Sequence, residues 1–223
     1  MNIIDKFLNI IAPESCLGCG QEDALLCYGC YALNDELGSI CFVCQKATTS
    51  HFPCDEHTGR YAPDAVFMLQ KYDGLVKDYL KAYKFNYKRS AGFEIANFMN
   101  DYLPYFDDTV IVTWVPTAPI RMRVKGFDHS KLIAKELATK RSLRSMNLIA
   151  RKKSTMLHLL DKKERTQEIK KIYAVNASTR IKGATFLLVD DIITTGATIA
   201  ECSRQLKKAG AKQVFVVALA KTF

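Results

Sequence analysis

Phe186-Leu187-Leu188-Val189-Asp190-Asp191-Ile192-Ile193-Thr194-Thr195-Gly196-Ala197-Thr198 is the stretch that decides the fold. Its first four residues are a continuous apolar run between Lys182-Gly183 and two aspartates, the pattern of a central parallel strand buried on both faces. A turn follows. From Ala197 the residues Ile199, Cys202, Leu206 and Ala209 recur at intervals of three and four, which predicts a helix ended by Gly210. Val214 to Ala220 then reads as the next apolar strand. The resulting βαβ unit puts two carboxylates at the carboxyl end of a strand and a Thr-Thr-Gly-Ala-Thr run at the start of a helix.

That junction has chemical consequences. Unpaired N–H groups at a helix start bind anions, and glycine at position 196 lets the backbone approach a ligand closely. Thr194, Thr195 and Thr198 add hydroxyl donors, while Asp190 and Asp191 offer the acceptors that a sugar diol needs. A donor loop beside an acceptor pair suits a ribose 5-phosphate, with Asp190, Asp191, Thr194, Thr195, Gly196, Ala197 and Thr198 as its binding residues. The simpler reading is a capped helix whose aspartates supply negative charge at its N-terminus. Upstream, Val110 to Pro116 reads as a second strand and is followed by Arg121-Met122-Arg123-Val124-Lys125-Gly126-Phe127-Asp128-His129-Ser130, then by a helix through Leu132, Ile133 and Leu137. Cations around a glycine just before a helix suit a pyrophosphate, which makes Arg121, Arg123, Lys125 and Gly126 candidates for holding one.

Seven of the eight cysteines lie between Cys16 and Cys54, as Cys16-x-x-Cys19, Cys27-x-x-Cys30, Cys41-x-x-Cys44 and a final Cys54-x-x-His57. A two-residue gap lets both ligands of a tight knuckle face one ion, and two knuckles complete a tetrahedral zinc site. Disulfides compete with this reading, but a histidine in the last position suits metal better. Eight ligands allow two structural zinc ions. Spacing does not decide which pairs share an ion, since sequential and interleaved arrangements both close acceptable loops. The expectation is interleaved: Cys16, Cys19, Cys41 and Cys44 for one ion, Cys27, Cys30, Cys54 and His57 for the other. So short a segment buries little apolar area, so metal supplies its folding free energy. His51 is a spare ligand candidate or a loop residue, and Cys202 on the later helix is a small core residue.

With 223 residues and 48% hydrophobic content, the chain holds one ordinary domain with a small satellite. No apolar stretch approaches the roughly 20 residues that cross a bilayer. Ile3, Ile4, Phe7, Leu8, Ile10 and Ile11 mark a short amphipathic helix within residues 1–12, without the basic start and cleavage pattern of a signal peptide. A soluble, cytoplasmic protein is expected. The net charge of +9 is uneven: residues 1–60 hold three Lys/Arg against eight Asp/Glu, and the remainder 29 against 15. Such a basic field attracts polyphosphates or nucleic acid. In Lys81-Ala82-Tyr83-Lys84-Phe85-Asn86-Tyr87-Lys88-Arg89 aromatic and basic residues interleave, so Tyr83, Lys84, Tyr87, Lys88 and Arg89 are candidates for contacting single-stranded nucleic acid, the alternative being a helix-ending turn whose aromatics pack inward.

The strand, acidic pair and Thr-Thr-Gly loop of residues 186–198 resemble the signature of type I phosphoribosyltransferases. The resemblance implies that Asp190 and Asp191, the candidate catalytic residues, hold the ribose hydroxyls of phosphoribosyl pyrophosphate. It also implies that Thr194 to Thr198 hold the 5-phosphate, and that Mg2+ bridges the pyrophosphate. Together with the four knuckles, the Val115-Pro116 strand end and the Lys-Gly-Phe-Asp-His-Ser loop, it makes nearly the whole chain resemble the ComF family. That family's loop usually reads Arg-Gly-Phe-Asn-Gln, and here Lys125, Asp128 and His129 take the places of its arginine, asparagine and glutamine. Lysine lacks the planar fork of arginine. That family also tends to show Thr-x-x-Gln followed by an arginine; here Thr155-Met156-Leu157-His158 puts histidine where glutamine is usual and Arg165 fits the arginine, with His158 either facing the ligand pocket or lying on the surface. What the resemblance implies is a zinc-containing protein that binds phosphoribosyl pyrophosphate and handles single-stranded DNA on the cytoplasmic side during natural transformation. The alternative is an active transferase joining ribose 5-phosphate to a nucleobase or amine, although no local motif identifies an acceptor site. The acidic zinc module suits a helicase or channel partner better than nucleic acid. The expected architecture is α/β: a zinc-binding, double zinc ribbon-like module with an N-terminal helix over residues 1–60, then a type I phosphoribosyltransferase-like parallel sheet with helices on both faces over 61–223.

Overall fold

The computed structural model describes residues 13–34, 36–85, 88–117, 127–151, 172–176 and 181–223. The helix expected within residues 1–12 lies outside them. In chain order the elements are α1 (Tyr28–Ala32), β1 (Ala65–Lys71), α2 (Gly74–Phe85), α3 (Ser90–Tyr102), β2 (Ile111–Trp114), α4 (His129–Lys140), β3 (Arg144–Ser145), β4 (Ile149–Arg151), β5 (Tyr173–Val175), β6 (Thr185–Ile193), α5 (Ala197–Lys208) and β7 (Gln213–Lys221). Five strands form a parallel sheet in the order β1-β7-β6-β2-β3, while β4 and β5 make a separate antiparallel pair.

The apolar run from Phe186 to Val189 lies in the first half of β6, hydrogen-bonded on both edges, with Leu188 opposite Val216 on one side and Thr113 on the other. Successive strand residues point to opposite faces. Leu187 and Val189 pack with Tyr79, Ile95, Ile133 and Leu137 of α2, α3 and α4. Phe186 and Leu188 pack with Ile199, Cys202 and Leu206 of α5 and with Ile149 and Tyr173 of the β4–β5 pair. Each such side chain stabilises the fold by roughly 1.5–3 kcal/mol on burial, so a strand apolar on both faces requires cover on both. Helices on both faces of a parallel sheet are the expected architecture.

Neighbouring strands β2 and β6 send their chains to opposite faces, β2 toward α4 and β6 toward α5. Their carboxyl ends therefore flank an open crevice, where α/β sheets place ligands.

The cysteine-rich segment is packed into both cores. Cys16, Leu25, Leu26 and Cys30 are buried with α2 and α3, and Leu37 and Phe42 are buried with β1 and α5. Tyr31 of α1 stacks on Phe98 of α3 at 3.9 Å. Glu94 of α3 accepts from the N–H groups of Leu25 (2.8 Å) and Leu26 (3.1 Å). The chain then runs along the edge strand, where Leu37 N–H donates to Leu69 O at 2.9 Å and shields the outer edge of β1. Among the described residues no helix is long and apolar enough to cross a membrane.

Candidate functional site

Asp190 and Asp191 stand at the mouth of the crevice, and strand alternation turns them to different partners. Asp190 accepts from the Ser130 hydroxyl of α4 (3.0 Å) and from the Asp191 N–H (2.9 Å). Asp191, on the α2 face, accepts from Lys84 Nζ at 2.7 Å. Burial, and after it the charge of Asp191, raises the Asp190 carboxyl from its ordinary 3.8 to about 7, against the opposing pull of Lys84. The enclosure thus carries more negative charge than one lysine relieves, which suits it to a cation or to hydroxyl donors.

A cavity of about 230 Å³ opens beside the pair, lined also by Thr117, His129, Ser130, Arg151, Tyr173, Thr194 and Thr198. Past β6, Thr194 and Thr195 are exposed, and Gly196 opens α5 at φ 76° with no side-chain cap of its own, while the Ala197 N–H donates to Thr195 Oγ1 at 3.4 Å. Glycine is required at 196 twice over. The left-handed backbone favours it, and a Cβ there would lie 2.8 Å from the Phe42 ring and 3.0 Å from its carbonyl oxygen. The close approach expected between this backbone and a ligand is therefore also an approach to the Cys41–Cys44 knuckle.

The Arg121, Arg123, Lys125 and Gly126 candidates lie outside the described residues, as do His158 and Arg165. Both flanks of the basic loop are described and are tied together. Asp128 caps α4 by accepting from Lys131 N–H (3.1 Å), and it also takes Thr117 N–H (3.2 Å) and Thr117 Oγ1 (3.1 Å).

Among the nucleic-acid candidates one expectation is corrected. Tyr83 is fully buried, its hydroxyl donating to His129 O at 2.8 Å, so its ring serves the core and is closed to a base. Lys84 faces the cavity on Asp191. Lys88 pairs with Glu14 at 3.0 Å, Arg89 sits over the Phe127 ring at 5.2 Å, and Tyr87 lies outside the described residues. Sequence reasoning missed Arg151 and Tyr173, which the β4–β5 pair swings over the crevice, and Ser130, although it closes the quoted basic motif.

The eight metal-ligand candidates form two clusters, each with its ligand atoms within 4.8 Å of one another. The interleaved arrangement is corrected: Cys16, Cys19, Cys27 and Cys30 form one cluster, and Cys41, Cys44, Cys54 and His57 the other. The physical reason lies between them. The first two knuckles close on each other through Leu17 N–H to Leu25 O (3.0 Å), and pairing of residue 37 with β1 carries the chain away before Cys41. Separations of 3.7 Å (Cys19 to Cys27 Sγ), 3.5 Å (Cys44 to Cys54 Sγ) and 3.6 Å (Cys41 Sγ to His57 Nδ1) approach the edge of about 3.8 Å of a tetrahedron with zinc–sulfur bonds near 2.3 Å. They exceed any disulfide. Burial opposes ionisation of Cys16, but N–H groups of Cys27, Cys19 and Gly18 bring its thiol down to about 6, and those of Cys44, Cys54 and Val43 do the same for Cys41. The donor sets fit zinc. His51 packs on Phe67 at 4.8 Å, and Cys202 is buried in the core.

The phosphoribosyl transferase domain family matches residues 131–222, from α4 to the end of β7. The match includes β7 and the β6–α5 strand-turn-helix junction that lines the crevice. Over nearly its whole length the chain is similar to Competence protein ComFC of Streptococcus pneumoniae, 26% identical over 221 residues, covering 92% of this chain and 91% of that protein. It is similar as well to Competence protein F of Haemophilus influenzae, 30% identical over 110 residues, 48% of either chain. The structure of the AQ2163 protein from Aquifex aeolicus is similar with a TM-score of 0.38 and 10% identity, over 70% of this chain and 87% of that one.

Two outcomes are expected. Metal analysis returns two zinc ions per chain, and the Cys16→Ser/Cys41→Ser double variant loses both; retention of one ion would restore the interleaved arrangement. Because the Asp190 carboxyl titrates near 7 in the fold and near 3.8 unfolded, the folded state binds the extra proton between those values. The stability this provides is full below about pH 4 and is lost as pH rises through 7. Urea midpoints between pH 5 and 8 therefore fall more steeply for the wild type than for Asp190→Asn, and parallel slopes would refute the assignment.

Proposed function

We propose that this chain is a ComF-family protein and that it binds phosphoribosyl pyrophosphate with Mg2+ in the crevice between β2 and β6. The observation that carries the reading is the meeting, in one cavity, of an uncapped helix start with an adjacent acidic pair. Ribose hydroxyls donate to Asp190 and Asp191, the 5-phosphate accepts from the N–H and hydroxyl groups of Thr194 to Thr198, and the pyrophosphate extends toward the segment that Thr117 and Asp128 clasp. Charge neutralisation of the pyrophosphate is what the metal supplies. Lys84 orients Asp191, and Ser130 fixes Asp190.

The relatives' names, with competence in both, support a role in DNA uptake, and the excess of basic residues beyond residue 60 supports contact with single-stranded DNA on the cytoplasmic side. A second reading, a transferase, is favoured by Lys84 and Arg151 lining the same cavity, where cations stabilise charge gathering on departing pyrophosphate. In that reaction the bond from the anomeric carbon to the pyrophosphate oxygen breaks as one to an acceptor nitrogen forms. Pyrophosphate release in a screen of nucleobases and amines tests it, and no release with any acceptor would leave binding alone.

A ligand at 100 times its Kd stabilises by about 2.7 kcal/mol, which for a chain of this size raises Tm by roughly 5–10 °C. Phosphoribosyl pyrophosphate with Mg2+ is expected to do so, and the Asp190→Ala/Asp191→Ala variant to show no shift; an equal shift in that variant would sink the assignment. Single-strand binding is expected to weaken about tenfold or more between 50 and 200 mM salt, whereas a flat salt response would remove the electrostatic basis for DNA contact.

A further inference from the structure

Two residues brace the 194–198 turn, Phe42 from within the Cys41–Cys44 knuckle and Lys221 from the end of β7. Phe42, inside the Cys41–Cys44 knuckle and only 2% exposed, lies against Gly196 so closely that no side chain fits between them. Lys221, at the end of β7, is 1% exposed, and its Nζ donates to Thr194 O at 2.7 Å and to Thr222 O. A lysine is almost never buried this fully unless it is paired. Here its partners are the carbonyl oxygens of Thr194 and Thr222. Gln45, one residue past the knuckle, reaches Thr222 O at 3.5 Å, and Thr222 N–H donates to Ile193 O at 3.0 Å.

The Lys221 contact has a direct geometric consequence. In a trans peptide the C=O of one residue and the N–H of the next point in opposite directions. Fixing the Thr194 carbonyl inward on Lys221 therefore turns the Thr195 N–H outward, toward the side where Thr195 is exposed. Phe42 supports the following residue from below and holds Gly196 where α5 begins. The other cluster, Cys16 to Cys30, packs with α2 and α3 on the far face of the sheet.

We propose that Phe42 and Lys221 are positioning residues for the phosphate-binding turn, so that zinc in the Cys41–His57 cluster and a phosphoribosyl ligand in the cavity strengthen each other's binding. This rests on the reading of the cavity given above, and coupling of two sites is reciprocal by thermodynamic necessity. The test uses the full zinc-loaded chain with phosphoribosyl pyrophosphate and Mg2+, read by calorimetry and by the rate at which a chelator removes zinc. Saturating ligand is expected to slow release of one of the two ions several-fold in the wild type, a result that depends on no substitution. Phe42→Ala and Lys221→Met are expected to raise Kd about tenfold or more and to abolish the slowing, with Lys221→Arg recovering part of the affinity. A wild type that binds the ligand with zinc release unchanged, or variants that bind within twofold of it, would overturn the linkage while leaving the binding site standing. A wild type that binds no phosphoribosyl ligand would overturn both.

Discussion

β6 has apolar side chains on both faces and hydrogen-bonded neighbours on both edges, and most of the structure answers that constraint. Its two faces must be covered, which calls α2, α3 and α4 to one side and α5 with the β4–β5 pair to the other. With every lateral direction closed, polar residues in this strand have one outlet, its carboxyl end. Two aspartates placed there meet whatever the loops after β2 and β6 bring to the crevice. Burial at that end, and after it the charge of Asp191, raises the Asp190 carboxyl, an imbalance suited to a cation or to hydroxyl donors.

The cysteine-rich segment is better understood as flooring than as a tethered satellite. Its apolar residues enter both cores, and Glu94 of α3 is shared among the N–H groups of Leu25 and Leu26 and the Tyr79 hydroxyl. Phe42, inside the Cys41–Cys44 knuckle, meets the 194–198 turn directly at Gly196, and Lys221 of β7 meets it at the Thr194 carbonyl.

Much of the site could be read from local sequence because its chemistry is local. Asp190 to Thr198 lie on one strand-turn-helix junction, and the two-residue knuckles name their own ligands. Contacts across long separations could not. Lys84 and Asp191 are 107 residues apart, and nothing in an aromatic and basic run announces that one of its lysines faces a carboxylate while the tyrosine before it is buried. Arg151 reaches the crevice only because β4 pairs with β5, and the sharing of cysteine pairs depended on residue 37 being drawn to the edge of β1.

The sequence by itself determined the βαβ junction, its acidic pair and anion-suited turn, and the identity of eight metal-ligand candidates, since periodicity and spacing act over a few residues and survive without tertiary context. Only the tertiary structure decided which knuckles share an ion, which cations enter the cavity, and that Gly196 is compelled by Phe42 as much as by its own backbone. Those outcomes depend on which distant surfaces are buried together, and burial is a property of the packed chain rather than of any segment of it.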